Sequence, residues 1–322
     1  MPNLNVAVVG SPEYAKGIGK KSTASDITFY DVKRGDVTVS LVEPTKYPEK
    51  LASLFFAVSL ADVAVVVVEQ IDPAFGECTI MLDCADVRKG FIVTRGYIAK
   101  QQITPLIKDT VLEHYEFVED DPIHLREMLL AQAQDTAREA ESASGVGSVA
   151  VDHYFDVRGV GTVVLGCVAE GVVKKHDSVR ALPLGTEAEI RSIQKHDDDF
   201  DRATKGDRVG LALKGISVSE LDRGTILSTD ESLMVRTEIV ATAHLVKYWL
   251  NPLKEGMVVH IGHWMQFEPA RIESVSSGED WRRTELRLKF QKGFVYRPGS
   301  NAVMTYLEGG KLRVVGTVQV DA

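Results

Sequence analysis

The chain has 322 residues, 44% hydrophobic and 26% charged, the composition of a globular protein of about two domains, or three small ones. The longest apolar runs, Leu54 to Val58 and Val63 to Val68, fall far short of the ~18–20 residues that span a bilayer. The start, MPNLNVAVVG, has no basic stretch ahead of its apolar one, so it does not read as a signal peptide. The expectation is a cytoplasmic protein with no membrane partner.

The formal net charge is −9, from 37 Lys and Arg against 46 Asp and Glu. It is unevenly placed. Residues 1–144 carry 14 basic and 22 acidic side chains, residues 145–229 carry 11 and 13, and residues 230–322 carry 12 and 11. An acidic total argues against indiscriminate duplex binding by counterion release, but leaves room for a local basic patch that follows an RNA backbone. The three cysteines, Cys78, Cys84 and Cys167, are too few for a disulfide framework and form no CxxC pair. The eight histidines are scattered without an HExxH string, so no metal site is expected.

In chain order, Asn5 to Val9 reads as a short buried strand ending at Gly10, and Val37 to Val42 as a second. Glu49 to Leu60 places Leu51, Leu54, Phe55 and Val58 at helical spacing. The valine run Val63 to Val68 is the mark of a strand covered on both faces. Thr79 to Leu82 reads as a helix end and Gly90 to Thr94 as a strand. Pro122 opens a helix to about residue 143, with Ile123, Leu125, Leu129 and Leu130 expected on its inner face. Strands alternating with helices imply an α/β domain with a parallel sheet over residues 1–144.

The segment Ser142 to Ser148 is small and polar, a predicted linker. Beyond it short valine-rich strands recur between Gly and Asp turns, which predicts antiparallel β domains over 145–229 and 230–322, divided near the polar stretch Thr229 to Ser232. The expected architecture is one α/β domain followed by two β-barrels.

Residues 149–228 resemble the second domain of translational GTPases, a family that includes SelB and elongation factor Tu. The residues that carry the resemblance are VDHYFDVRGVGTVVLGCVAEGVVKKHDSVRALP, AEIRSIQKH, KGDRVGLALKGI and LDRGTIL. Asp152, Phe155, Val157, Gly159, Gly161, Thr162, Gly166, Gly171 and Asp177 all fall in register. TYLEGGKLRVVGTVQV is similar to the final hairpin of the family's third domain. In the first section the likeness holds for frame but fails for chemistry. GSPEYAKG stands where the phosphate loop GHxDHGKT belongs, with Gly10 and Lys16 at the first glycine and the lysine. Ala15 stands at the second glycine and Gly17 at the hydroxyl residue that binds Mg²⁺. A second frame, GIGKKST at 17–23, lies too far from Gly10, and Lys20 and Lys21 read as solvated charges. In place of DxPGH there is Glu43-Pro44-Thr45-Lys46-Tyr47, and the NKxD strand ends in Thr94-Arg95-Gly96-Tyr97 without an Asp to read guanine.

The resemblance therefore implies a GTPase-like fold with its nucleotide chemistry lost, no cofactor, and function on the β domains: binding of tRNA or the ribosome. Candidate RNA contacts are Arg158, Arg191, Lys195, His196, Arg223, Arg282, Arg283, Lys311 and Arg313, with Trp281 placed to stack on a base. The alternatives are an unorthodox GTPase using GTP and Mg²⁺ through Gly10 and Lys16, and a scaffold whose acidic first domain docks a basic protein. Oligomeric state is not legible.

Overall fold

The valine-rich segments pair as parallel strands because both faces are covered by apolar side chains. In the computed structural model, which describes residues 2–140 and 145–321, they form the centre of a seven-stranded sheet. Its strands are β1 (Asn3–Val9), β2 (Lys20–Ala24), β3 (Thr28–Arg34), β4 (Val37–Glu43), β5 (Val63–Val68), β6 (Gly90–Thr94) and β7 (Glu116–Val118), in spatial order β2-β3-β4-β1-β5-β6-β7. Strands β4, β1, β5, β6 and β7 run parallel, whereas β3 pairs antiparallel with β4 and β2 with β3. The helices are α1 (Ala15–Ile18), α2 (Leu51–Val58), α3 (Pro73–Cys84), α4 (Lys100–Ile103) and α5 (Pro122–Ala140). Pro73 opens α3 where its missing N–H costs nothing, and the Asp72 carboxylate caps it by accepting from the Phe75 amide at 2.9 Å.

The core on one side of this sheet joins Val6, Val8, Val39, Leu41, Val65, Val67 and Val93 to Leu125, Leu129 and Leu130 of α5. Ile123, expected on the same inner face, is instead 68% exposed. It sits in the first turn of α5, and the buried stripe begins two residues later. Residues 142–144 of the predicted linker lie outside the described residues.

The polypeptide divides into two units, Met1–Glu139 with Tyr306–Val315, and Ala140–Thr305 with Gly316–Ala322. The second unit holds two β-barrels. The strands of the first are β8 (Ser148–Val157), β9 (Gly161–Glu170), β10 (Val172–Lys174), β11 (Ser178–Leu182), β12 (Thr186–Lys195), β13 (Asp198–Phe200), β14 (Arg202–Thr204), β15 (Arg208–Lys214) and β16 (Ile226–Ser228). The order β11-β16-β8-β9-β15-β12 closes through pairing of β11 with β12. The second barrel comprises β17 (Met234–Leu245), β18 (Val258–His263), β19 (Gln266–Ser277), β20 (Arg283–Tyr296), β21 (Asn301–Thr305) and β22 (Val314–Val320). It closes in the order β17-β20-β19-β18-β21-β22, with β22 pairing back onto β17. The fold is an α/β domain of the P-loop kind followed by two antiparallel β-barrels.

Within the second unit the Arg297 guanidinium links the barrels. It donates to Glu170 at 2.8 Å, to Asp230 at 2.5 Å and to the Ser232 hydroxyl at 2.8 Å. Asp230 belongs to the polar stretch expected to be a boundary, and it is buried. Burial alone would raise its pKa. Hydrogen bonds from Ser232 and Arg297, with the Arg297 charge, lower it instead.

Candidate functional site

The motif-like segments at residues 10–17, 43–47 and 94–97 lie at the ends of β1, β4 and β6. In the first unit the ends of β1, β4 and β5 and residues of β2 and β3 enclose a cavity of about 230 Å³, lined among others by Gly10, Glu13, Lys21, Tyr30, Glu43, Glu69 and Asp72. Gly10 takes φ +96°, and a Cβ there would lie 2.2 Å from the Val67 carbonyl oxygen, so only glycine lets the chain turn at this point. The turn leads into α1, which has only four residues.

Glu43 closes the opposite wall. Its side chain is buried, and it accepts from the Ala15 amide at 2.6 Å. Burial raises its pKa, while the amides of Ala15 and Glu13 and the Tyr30 hydroxyl favour the charged form. Tyr30 is in turn pushed up to about 12, by burial first and then by the Glu43 charge. The Ala15 amide, one of the N–H groups that the resemblance assigns to a phosphate, is thus already used by a carboxylate of the chain itself. A Glu reaches it where an Asp, one methylene shorter, would not extend as far.

The base side is filled in the same way. Arg95, at the end of β6, donates to Glu69 at 2.8 Å and to Asp120 at 2.8 Å, and lies 4.8 Å from the centre of the Tyr14 ring. The Ser11 hydroxyl donates to the same Glu69 carboxylate at 2.7 Å. These contacts tie the ends of β1, β5, β6 and β7 together through one guanidinium. Among the described residues lining the cavity Lys21 is the one basic group, against the carboxylates of Glu13, Glu43 and Asp72 and that of Glu69, which Arg95 already pairs. Two like charges about 4 Å apart repel by about 4 kcal/mol at an effective dielectric near 20. The lining therefore favours a neutral or cationic occupant over a polyanion. Lys16 is exposed on α1 and is not among the lining residues.

The nine RNA-contact candidates are spread over separate elements. Arg158, at the β8–β9 turn, and Arg191, on β12, are exposed. So are Arg283, at the start of β20, and Lys311. Lys195 is not a surface charge: it is 6% exposed and pairs with the buried Asp207 at 2.5 Å, 4.7 Å from the centre of the Phe200 ring. Its expected role in gripping a phosphate is corrected by this placement, because the ammonium already has its counter-ion in the barrel core. His196 takes φ +47° in the following turn. Arg223 is half-buried and donates to the Asp152 carbonyl at 3.1 Å. Arg282 stacks on Trp281 with its guanidinium 4.2 Å from the ring centre. Arg313 is consumed in the first unit: its guanidinium grips Glu77 at 2.5 and 3.1 Å and the Pro48 carbonyl at 3.0 Å. Of the other tryptophans, Trp249 is buried and Trp264, at φ +50°, stacks on His263 at 4.6 Å. No group of three or more His, Cys, Asp or Glu side chains among the described residues is arranged to hold a metal ion.

Two functional features escaped the sequence. The Arg95 bridge depends on Glu69 and Asp120, each about 25 positions away. The Glu43–Ala15 bond spans 28 positions, although the replacement of Asp by Glu was its visible signal.

Comparison with known proteins places this geometry. Residues 161–228 match the family Elongation factor Tu domain 2. The uncharacterized protein MJ0325 of Methanocaldococcus jannaschii is 36% identical over 318 residues, covering 98% of this chain and 99% of that protein. The selenocysteine-specific elongation factor of the same organism is 37% identical over 136 residues, which is 40% of this chain and 29% of that factor. The chain thus matches MJ0325 from end to end but under a third of the elongation factor. The crystal structure of translation elongation factor SelB from Methanococcus maripaludis, apo form, superposes with a TM-score of 0.77 at 22% identity, covering 99% of this chain and 79% of that one. The chain belongs to the family of MJ0325, and that family is homologous to the SelB and elongation factor Tu translational GTPases.

Proposed function

We propose that this protein is a translation-factor paralogue that binds tRNA or the ribosome without binding or hydrolysing GTP. The observation that carries the first half is the Glu43 carboxylate on the Ala15 amide, in a cavity lined by four carboxylates and one lysine. The residues present do not fit a magnesium nucleotide. Gly17 offers no hydroxyl to the metal, Arg95 occupies the end of the base-reading strand, and Lys16 lies outside the cavity lining. No step of a hydrolytic mechanism is derived for this site.

The second half rests on the barrels, whose relatives are translation factors. The exposed arginines Arg158, Arg191 and Arg283 supply sequence-independent phosphate contacts. Filter binding against total tRNA is expected to give saturation in the low micromolar range, with affinity falling as salt rises. The triple variant Arg158→Ala, Arg191→Ala, Arg283→Ala should flatten the salt dependence, by roughly 0.7–0.9 in slope for each lost contact. Absence of salt-dependent binding to both tRNA and ribosomes would overturn this reading.

A further inference from the structure

The ends of β5, β6 and β7 carry a feature that nucleotide loss does not explain. Glu69, Arg95 and Asp120 meet there in direct ion pairs at 2.8 Å. Two or three residues beyond each of them the chain presents a large apolar side chain to solvent: Ile71 at 45% exposure, Tyr97 at 104% and Ile123 at 68%. With consecutive Cα atoms about 3.8 Å apart, the Cα of each lies no more than roughly 11 Å from the Cα of the ion-pair residue that precedes it. One exposed apolar side chain is ordinary, but these three all follow the ends of the neighbouring parallel strands β5, β6 and β7. Glu119, Asp121 and Asp72 stand beside these residues in the chain, all exposed, with Asp121 also accepting from the Ile123 and His124 amides and Asp72 from the Phe75 amide. The Arg95 guanidinium, the cation at the junction, is neutralised by its two carboxylates.

We propose that the surface at these strand ends is a docking surface for a basic protein segment, one that offers Lys or Arg to the carboxylates of Glu119, Asp121 and Asp72 and apolar side chains to Ile71, Tyr97 and Ile123. Charge complementarity selects the occupant. Exposed carboxylates repel a nucleic-acid backbone and attract ammonium and guanidinium groups, while the apolar side chains supply the desolvated contact area that holds a complex together. Tyr97 is the expected anchor, since a tyrosine buries a large amphipathic surface at small entropic cost. The surface lies in the first unit and does not depend on the tRNA reading, so either can fail alone.

The test uses the full chain and a synthetic Lys/Arg peptide carrying leucines at helical spacing, followed by fluorescence anisotropy. Binding is expected to weaken about tenfold, or about 1.4 kcal/mol, in the double variant Tyr97→Ser, Ile123→Ser. A similar loss is expected in Glu119→Gln, Asp121→Asn, and in a peptide with serines in place of leucines. Circular dichroism melts should be nearly unchanged in both variants, because the substituted side chains are exposed and Asn keeps the oxygen with which Asp121 accepts from the Ile123 and His124 amides. Equal affinity of wild type and both variants would overturn the proposal. So would displacement of the peptide by an oligoribonucleotide that itself binds this surface, or self-association of the chain through it that the double variant abolishes.

Discussion

Replacing Arg208 with alanine is expected to cost about 3–5 kcal/mol of folding stability, because it strands a buried carboxylate. Asp152 is 3% exposed. Arg208 grips both of its oxygens, one of them at 3.0 Å, and the His153 Nδ1 lies 2.6 Å from Oδ1. Burial on its own would raise the Asp152 pKa. The Arg208 charge and the hydrogen bonds from His153 and Arg208 outweigh it and bring the carboxyl to about 2. A carboxyl whose folded pKa lies below its unfolded value of about 3.9 adds stability above that value and loses it as the pH falls toward 2. Its contribution is on the order of 2–3 kcal/mol. Urea midpoints of the wild type should therefore fall between pH 5 and pH 2, and Arg208→Ala should already be weak at pH 7. An unchanged midpoint in Arg208→Ala at pH 7 would contradict this assignment.

Arg313→Ala is expected to have an effect of the same order, about 3–5 kcal/mol, for the same physical reason in the first unit. Glu77 is 3% exposed in the middle of α3 and depends on Arg313 for its charge partner, through the guanidinium and through the Arg313 amide at 2.8 Å. Arg313→Lys keeps the charge but not the forked geometry and should fall between wild type and alanine. Glu77→Leu combined with Arg313→Leu should recover much of the loss, since an apolar pair leaves no buried charge. A double-mutant cycle in urea measures the coupling, and additive single losses would contradict it.

Much of the fold was legible because burial on both faces writes itself into composition. The run Val63–Val68 is a strand with the bounds its valines predict, and Gly90–Thr94 likewise. The hairpin of β2 and β3 was not foreseen. Lys20 to Ala24 is an edge strand of polar, mostly exposed residues, and such a strand has no apolar alternation to reveal it. Helical periodicity was misread at Ile123, where the spacing suits the core but the position is the first turn of α5. Charge was the least legible property. Lys195 looks like any solvated lysine until β12 and β15 pair and bring up Asp207. Arg313 looks like a phosphate ligand until Glu77 is seen beneath it. The departures from the nucleotide motifs were readable residue by residue. What was not readable was that Glu43 accepts from the Ala15 amide and that Arg95 is held by Glu69 and Asp120, because partners 25 or more positions apart leave no periodic trace.

Isothermal titration of the full chain with GTP, and separately with GDP, in the presence of Mg²⁺ bears most directly on the proposed loss of nucleotide binding. With Glu43 on the Ala15 amide and Arg95 held by Glu69 and Asp120, no saturable heat is expected at nucleotide concentrations up to roughly millimolar, where binding free energy falls to about 4 kcal/mol. Saturable micromolar binding that requires Mg²⁺ and prefers guanine to adenine would contradict it.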